Sequence, residues 1–163
     1  MSVFFVVPGQ PVGKGRPRAV RGANGRPRMV TPAKTREHER CVRLVAADAF
    51  GDTVMSGPIS VDIVAVFRRP KRLLTKSAPS FSWCTTKPDA DNVRKACLDG
   101  LQSSGCIDDD SNVVDGRTAK VYASKASNKP MTIVHVKPVD SVDTAMSDAW
   151  LFSMLERARC RNE

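Results

Sequence analysis

Apolar positions recur along this chain in two periods, and the change from one to the other outlines the elements. Residues 2–7 (SVFFVV) are β-branched and aromatic and stop at Pro8-Gly9, which predicts a first strand. Residues 59–67 (ISVDIVAVF) form a second strand pattern, with Asp62 as its polar exception. Shorter strand patterns lie near 117–123 and 131–136. A helical period appears over two stretches. Thr31-Pro32 predicts an N-cap with proline at the first helical position, opening a helix to about Phe50 with Val42, Val45, Ala46 and Ala49 on one face. Pro88 disfavours helix at Lys87, so a second helix is expected from Asp89 or Asp91 to Leu101, ended by Ser103-Ser104-Gly105. Its apolar face is Val93, Ala96, Cys97 and Leu101; Asp91, Lys95 and Asp99 line the other. A last segment, 143–161, carries Ala145, Trp150, Leu151, Met154 and Leu155 at helical spacing.

Between these elements, residues 8–31 hold five glycines and almost no apolar periodicity, which predicts a long loop with a hairpin about Asn24-Gly25. Residues 68–88 form a second loop, and no internal repeat is present. Interleaved strands and helices predict an α+β fold: a small mixed β-sheet packed with helices in one compact domain over 1–140, with a C-terminal helical extension over 141–163. The length, 163 residues, suits one domain and a short appendage. No apolar run reaches the roughly 18 residues of a membrane span, and the opening stretch lacks a basic region before it, so it reads as strand and not as signal peptide.

Charge narrows the class of partner. Lys plus Arg number 26 against 17 Asp plus Glu, a net +9, which makes a polyanion the first partner to consider. Ten of the basic residues fall between Lys14 and Arg43, opposed only by Glu37 and Glu39. A second run is Arg68, Arg69, Lys71, Arg72 and Lys76. Lys14, Arg16, Arg18 and the 68–76 run are therefore the expected phosphate contacts. The five cysteines form no C-x-x-C pair, which speaks against a zinc ribbon or a disulfide scaffold and for thiols in a reducing cytoplasm. His38 and His135 have no second histidine at ligand spacing and read as structural. Gly9 to Gly15 resembles a phosphate-binding loop only superficially, being one residue short and lacking the terminal Ser or Thr.

Seven of the 17 acids lie between Asp89 and Asp115. Asp89 and Asp91 stand at a helix mouth, Lys95 follows one turn on, and Asp108-Asp109-Asp110 returns soon after the helix. Capping and solvation explain such a pattern. So does an oxygen-rich Mg²⁺ site that activates water at a phosphate. The basic surroundings favour the second reading: a positive surface recruits nucleic acid to an acidic, metal-binding centre.

Lys87-Pro-Asp-x-Asp-Asn-x-x-Lys95, Asp99-Gly-Leu101 and Asp109-Asp110-Ser-Asn-Val-Val114, with Gly9-Gln-Pro-Val-Gly-Lys-Gly-Arg-Pro-Arg18 upstream, resemble the signature of RusA-type Holliday junction resolvases over roughly residues 3 to 137. The resemblance implies a small mixed α/β domain forming a homodimer on branched DNA. It implies metal carboxylates at Asp89, Asp91 and Asp110, an essential Lys95, and one or two Mg²⁺ ions, with Mn²⁺ as a substitute. It further implies paired nicks leaving 5′-phosphate and 3′-hydroxyl ends, in a bacterial or phage-infected cytoplasm. Three consecutive acids stand here where two are usual. The spacing to Asn112-Val113-Val114 selects Asp110, and Asp109 remains the alternative. If the loop runs straight into a strand from Ser111, alternation turns only one of the two toward the helix mouth. Competing readings are a nuclease for other branched DNA and a catalytically silent basic DNA-binding module.

Overall fold

The computed structural model describes residues 1–21, 24–75, 77–139, 156, 157 and 159. The expected C-terminal helix over 143–161, the boundary of its extension, Cys160 and Lys76 lie outside the described residues, apart from Glu156, Arg157 and Arg159.

Among the described residues, eight strands and two α-helices run in the order β1 (Val3–Pro8), β2 (Arg18–Arg21), β3 (Pro27–Val30), α1 (Ala33–Phe50), β4 (Ile59–Phe67), β5 (Ser82–Trp83), α2 (Ala90–Gln102), β6 (Val113–Asp115), β7 (Thr118–Tyr122) and β8 (Met131–Pro138). The main sheet is mixed, in the order β1-β8-β4-β7-β5, with β6 pairing the start of β4. β8 lies antiparallel between β1 and β4, whereas β4 runs parallel to β6 and β7. This is the α+β domain that the pattern predicts. Among the described residues no helix is long and apolar enough to cross a membrane.

β4 is buried at all nine positions, because it is central and apolar residues occupy both of its faces. Toward the helices, Phe5, Val61, Ile63, Val134 and Val136 join Val42, Ala46 and Phe50 of α1 and Val93, Cys97 and Leu101 of α2 in the main core. On the other face Val64, Val66, Val121, Ala123 and Ile133 form a second cluster. The Asp62 carboxylate accepts the Arg117 amide at 2.9 Å, which binds the start of β7 to β4.

Two helix details depart from expectation. α1 begins at Ala33, with Pro32 at the cap position in an extended conformation (ψ 140) and no side-chain cap. Phe50, and not Ala49, completes its buried face. α2 matches its expected apolar face and crosses α1 at Gly100, where a Cβ would come within 2.7 Å of Val42 Cβ and 2.9 Å of the Glu39 carbonyl oxygen. That close crossing brings the polar faces of the two helices together.

Candidate active site

The start of α2 is fixed from outside. Lys120 on β7 donates to the carbonyls of Thr86 at 2.7 Å and Pro88 at 2.6 Å, holding the turn that feeds the helix. Arg94 donates to the Val61 carbonyl at 2.9 Å and to the Asp115 carbonyl at 3.3 Å, tying the next turn to the sheet. No motif singled out Arg94, since a lone arginine between polar and apolar helix faces carries no signal of its own.

Asp89 occupies the N-cap position of α2, yet its side chain makes no cap bond. Asp91 lies in the first turn, where the helix dipole favours a carboxylate. Both are exposed, and among the described residues no hydrogen bond or ion pair engages either carboxylate. Capping therefore does not consume Asp89.

Capping does consume Asp109. A one-turn 3₁₀ helix, Asp110–Asn112, stands between the acidic loop and β6, and the Asp109 carboxylate caps it by accepting the Ser111 amide at 2.8 Å. It also accepts Gln102 Nε2 at 3.2 Å. Hydrogen bonds from Ser111 hold the Asp109 carboxyl below the ordinary carboxylate range. The expected direct run into a strand from Ser111 is thus corrected: the capped turn intervenes, β6 starts at Val113, and strand alternation does not apply. Asp110, inside the turn, points its Oδ2 to within 3.7 Å of Lys95 Nζ.

Lys95 belongs to a chain of alternating charges. Its ammonium lies 3.4 Å from Asp99 Oδ1, one helical turn on. The other Asp99 oxygen lies 2.6 Å from Lys14 Nζ, and Lys14 lies 2.6 Å from Glu39 Oε1 on α1. The loop around Lys14 is built for close approach. Its amide donates to the Asn92 carbonyl at 2.7 Å, and Thr35 Oγ1 accepts the Gly15 amide at 3.2 Å. At Gly13 a Cβ would meet Pro88 Cβ at 2.7 Å, and at Gly15 it would meet Pro32 Cγ at 2.8 Å. Partial burial disfavours the Lys14 ammonium, but the bonds to Asp99 and Glu39 outweigh it and hold the pKa above that of an ordinary lysine. The spacing placed Asp99 beside Lys95; nothing in the sequence pointed to Glu39.

Two expected phosphate contacts have their partners within the protein. Lys14 spends its charge on Asp99 and Glu39 inside the protein. Arg69 is only 2% exposed, and its guanidinium donates to the carbonyls of Ala123, Pro79 and Ser80, pinning loops together. Arg16, Arg18, Arg68, Lys71 and Arg72 are exposed. The hairpin of β2 and β3 forms as expected and is exposed at nearly every position.

The donor types suit a hard divalent cation: Asp89, Asp91 and Asp110 offer oxygen only, and neither Asp89 nor Asp91 is committed elsewhere. Among the described residues no three His, Cys, Asp or Glu side chains converge as a metal-holding group. Carboxylates repel at close range, and among the described residues Lys95 is the one cation paired with Asp110. Asp89, Asp91 and Asp110 suit such a cation by donor chemistry, and Asp89 and Asp91 are exposed at the start of α2.

The family described as endodeoxyribonuclease RusA matches residues 8–136. A relative from Bacillus subtilis (strain 168), the uncharacterized protein YqaN, is 35% identical over 146 residues, covering 85% of this chain and 98% of the relative.

Proposed function

The chain belongs to the RusA endodeoxyribonuclease family, and on that premise we propose that it resolves four-way DNA junctions by Mg²⁺-dependent paired nicks, as a homodimer acting in DNA recombination and repair. The observation that carries this reading is the pair Asp89 and Asp91 at the mouth of α2, engaged by no partner among the described residues, with Lys95 one turn beyond Asp91 and reaching toward Asp110. Carboxylates at a helix start that neither cap nor pair gain only the modest stabilisation of the helix dipole. They are well explained by a ligand that the fold awaits.

Asp89, Asp91 and Asp110 would hold the cation, with Mn²⁺ able to replace Mg²⁺. A divalent cation bound there supplies water activation and neutralises charge on the scissile phosphate. Lys95, 59% exposed, extends its ammonium where charge develops on the phosphoryl oxygens and stabilises it. Phosphates beyond the site are gathered by Arg16, Arg18, Arg68, Lys71 and Arg72 without reading sequence. Two copies related by a two-fold axis match the symmetry of a junction and cut opposing strands, leaving 5′-phosphate and 3′-hydroxyl ends. Such an enzyme works in a bacterial or phage-infected cytoplasm.

The test is cleavage of a four-way junction, a flap and a plain duplex, with and without Mg²⁺. Paired cuts in the junction that need the metal are expected, and Asp91→Asn should abolish them while leaving junction binding intact or tighter. Preference for the flap would move the substrate to other branched DNA. Cleavage by Asp91→Asn within a few fold of wild type would remove the carboxylates from the mechanism.

A further inference from the structure

We infer that Lys14 and Asp99 form a brace that positions the Lys95 ammonium, so that a residue of the N-terminal loop takes part in catalysis without touching DNA. The inference rests on the proposed role of Lys95 in cleavage. The Lys95 side chain is more than half exposed, so packing does little to restrict it; its carboxylate neighbours do. One neighbour, Asp110, belongs to the reacting group and would turn to the cation once one is bound. Asp99 is then the partner left to keep Lys95 in place. Asp99 can do this only if its own carboxylate is fixed, and Lys14 fixes it, bonded at 2.6 Å to the oxygen that Lys95 does not use.

The fold invests in that contact. Gly13 and Gly15 let the loop press against Pro88 and Pro32, Asn92 accepts the Lys14 amide, and Glu39 holds the ammonium from the side of α1. A lysine meant for phosphate is not part-buried between two carboxylates that neutralise it. The same geometry limits how strongly Asp99 draws on Lys95, because Asp99 shares its negative charge between two ammonium groups. Lys95 is thus held in place but remains available to the phosphate. Lys14 and Asp99 are positioning residues, and Lys95 is the catalytic one.

Single-turnover cleavage of a junction by excess enzyme separates the maximal rate from the half-saturating concentration. Asp99→Asn is isosteric and keeps the backbone carbonyl that accepts the Ser103 amide, and Lys14→Met keeps the aliphatic stem. The maximal rate should fall about ten- to hundredfold for Asp99→Asn and about tenfold for Lys14→Met. The half-saturating concentration should stay within about twofold in both. The double variant should match Asp99→Asn alone, since both act through one ammonium. Lys14→Met should also leave the salt dependence of junction binding unchanged. A fall of about one log–log unit in that slope would make Lys14 a phosphate contact and overturn the brace. Losses that multiply in the double variant would overturn it too, as would rates that recover on cooling in step with a lowered melting temperature. An inactive wild type would overturn the functional reading instead; an active wild type whose Asp99→Asn variant keeps its rate overturns the brace alone.

Discussion

Adjacent residues of the same kind have opposite duties in the acidic loop. Asp109 and Asp110 are indistinguishable by type, and family spacing alone ranks them. In the fold, Asp109 is bound by the Ser111 amide and by Gln102, while Asp110 reaches toward Lys95. Asp110→Asn should therefore behave like Asp91→Asn and lose cleavage, whereas Asp109→Asn should keep much of it and show a somewhat lower melting temperature. Because the Asp109 carboxyl sits below its ordinary range, its contribution to stability is present above the unfolded pKa and is lost as pH falls through the folded one. An inactive Asp109→Asn beside an active Asp110→Asn would reverse the assignment. Residue type and spacing single out Asp89, Asp91, Lys95 and Asp110, and the fold brings Lys95 to within 3.7 Å of Asp110. They do not reveal the partners of Lys14 and Arg69, because a count of basic residues does not distinguish a side chain in solvent from one engaged by carboxylates or carbonyls. Nothing near Arg69 in the sequence marks Ala123, Pro79 and Ser80 as its acceptors.

The two helices act together through their crossing. Gly100 lacks the Cβ that would press on Val42 and the Glu39 carbonyl, so α2 seats low enough on α1 for Lys14 to bridge Glu39 and Asp99. Gly100→Ala should lower stability by about 1–3 kcal/mol through overpacking. It should also slow cleavage more than a surface substitution of equal thermal cost. A variant that loses stability but cleaves at the wild-type rate would detach the crossing from the site. His38 lies in the same interface, its Nε2 4.0 Å from Cys97 Sγ, and burial holds its pKa below that of an ordinary histidine despite the opposing pull of Glu39. The unfolded chain then binds protons that the folded one refuses. Stability should be full above the unfolded value of about 6.5 and should decline as pH falls from there toward the folded pKa. His135 is depressed by burial as well and adds to the same trend. Melting temperatures between pH 7 and 5 should fall for the wild type and fall less for His38→Gln. Equal slopes would place the titration elsewhere. Element type followed from periodicity because the apolar faces are regular. The short β5 and β6 did not, since two or three residues carry no period and exist only through pairing with β7 and β4.

At the scale of the molecule, the basic side chains among the described residues include some paired with carboxylates of the fold and others exposed without an ion pair. The chain of ion pairs from Glu39 to Asp110 engages Lys14 and Lys95 with carboxylates. The cations left for DNA are those on exposed loops and on the hairpin, where no acid occurs between Lys14 and Lys34. Arg18, Arg21, Arg26 and Arg28 stand there exposed, and among the described residues no ion pair engages them. A two-stranded ribbon has little stability of its own, and its exposed Val20 and Met29 show that it adds little to the core. Its four arginines are better explained by a polyanion than by the fold, and a ribbon of this kind fits a DNA groove. Replacing all four with glutamine should leave the melting temperature nearly unchanged and weaken junction binding strongly at low salt. Each phosphate contact contributes about 0.9 to the log–log salt slope, so the slope should drop by up to about three to four units. Single-turnover cleavage at saturating enzyme should survive, because the hairpin supplies affinity and α2 the chemistry. An unchanged slope would turn the hairpin away from DNA and leave recruitment to Arg16, Arg68, Lys71 and Arg72. A lost maximal rate at an unchanged slope would mean that the hairpin shapes the junction at the site.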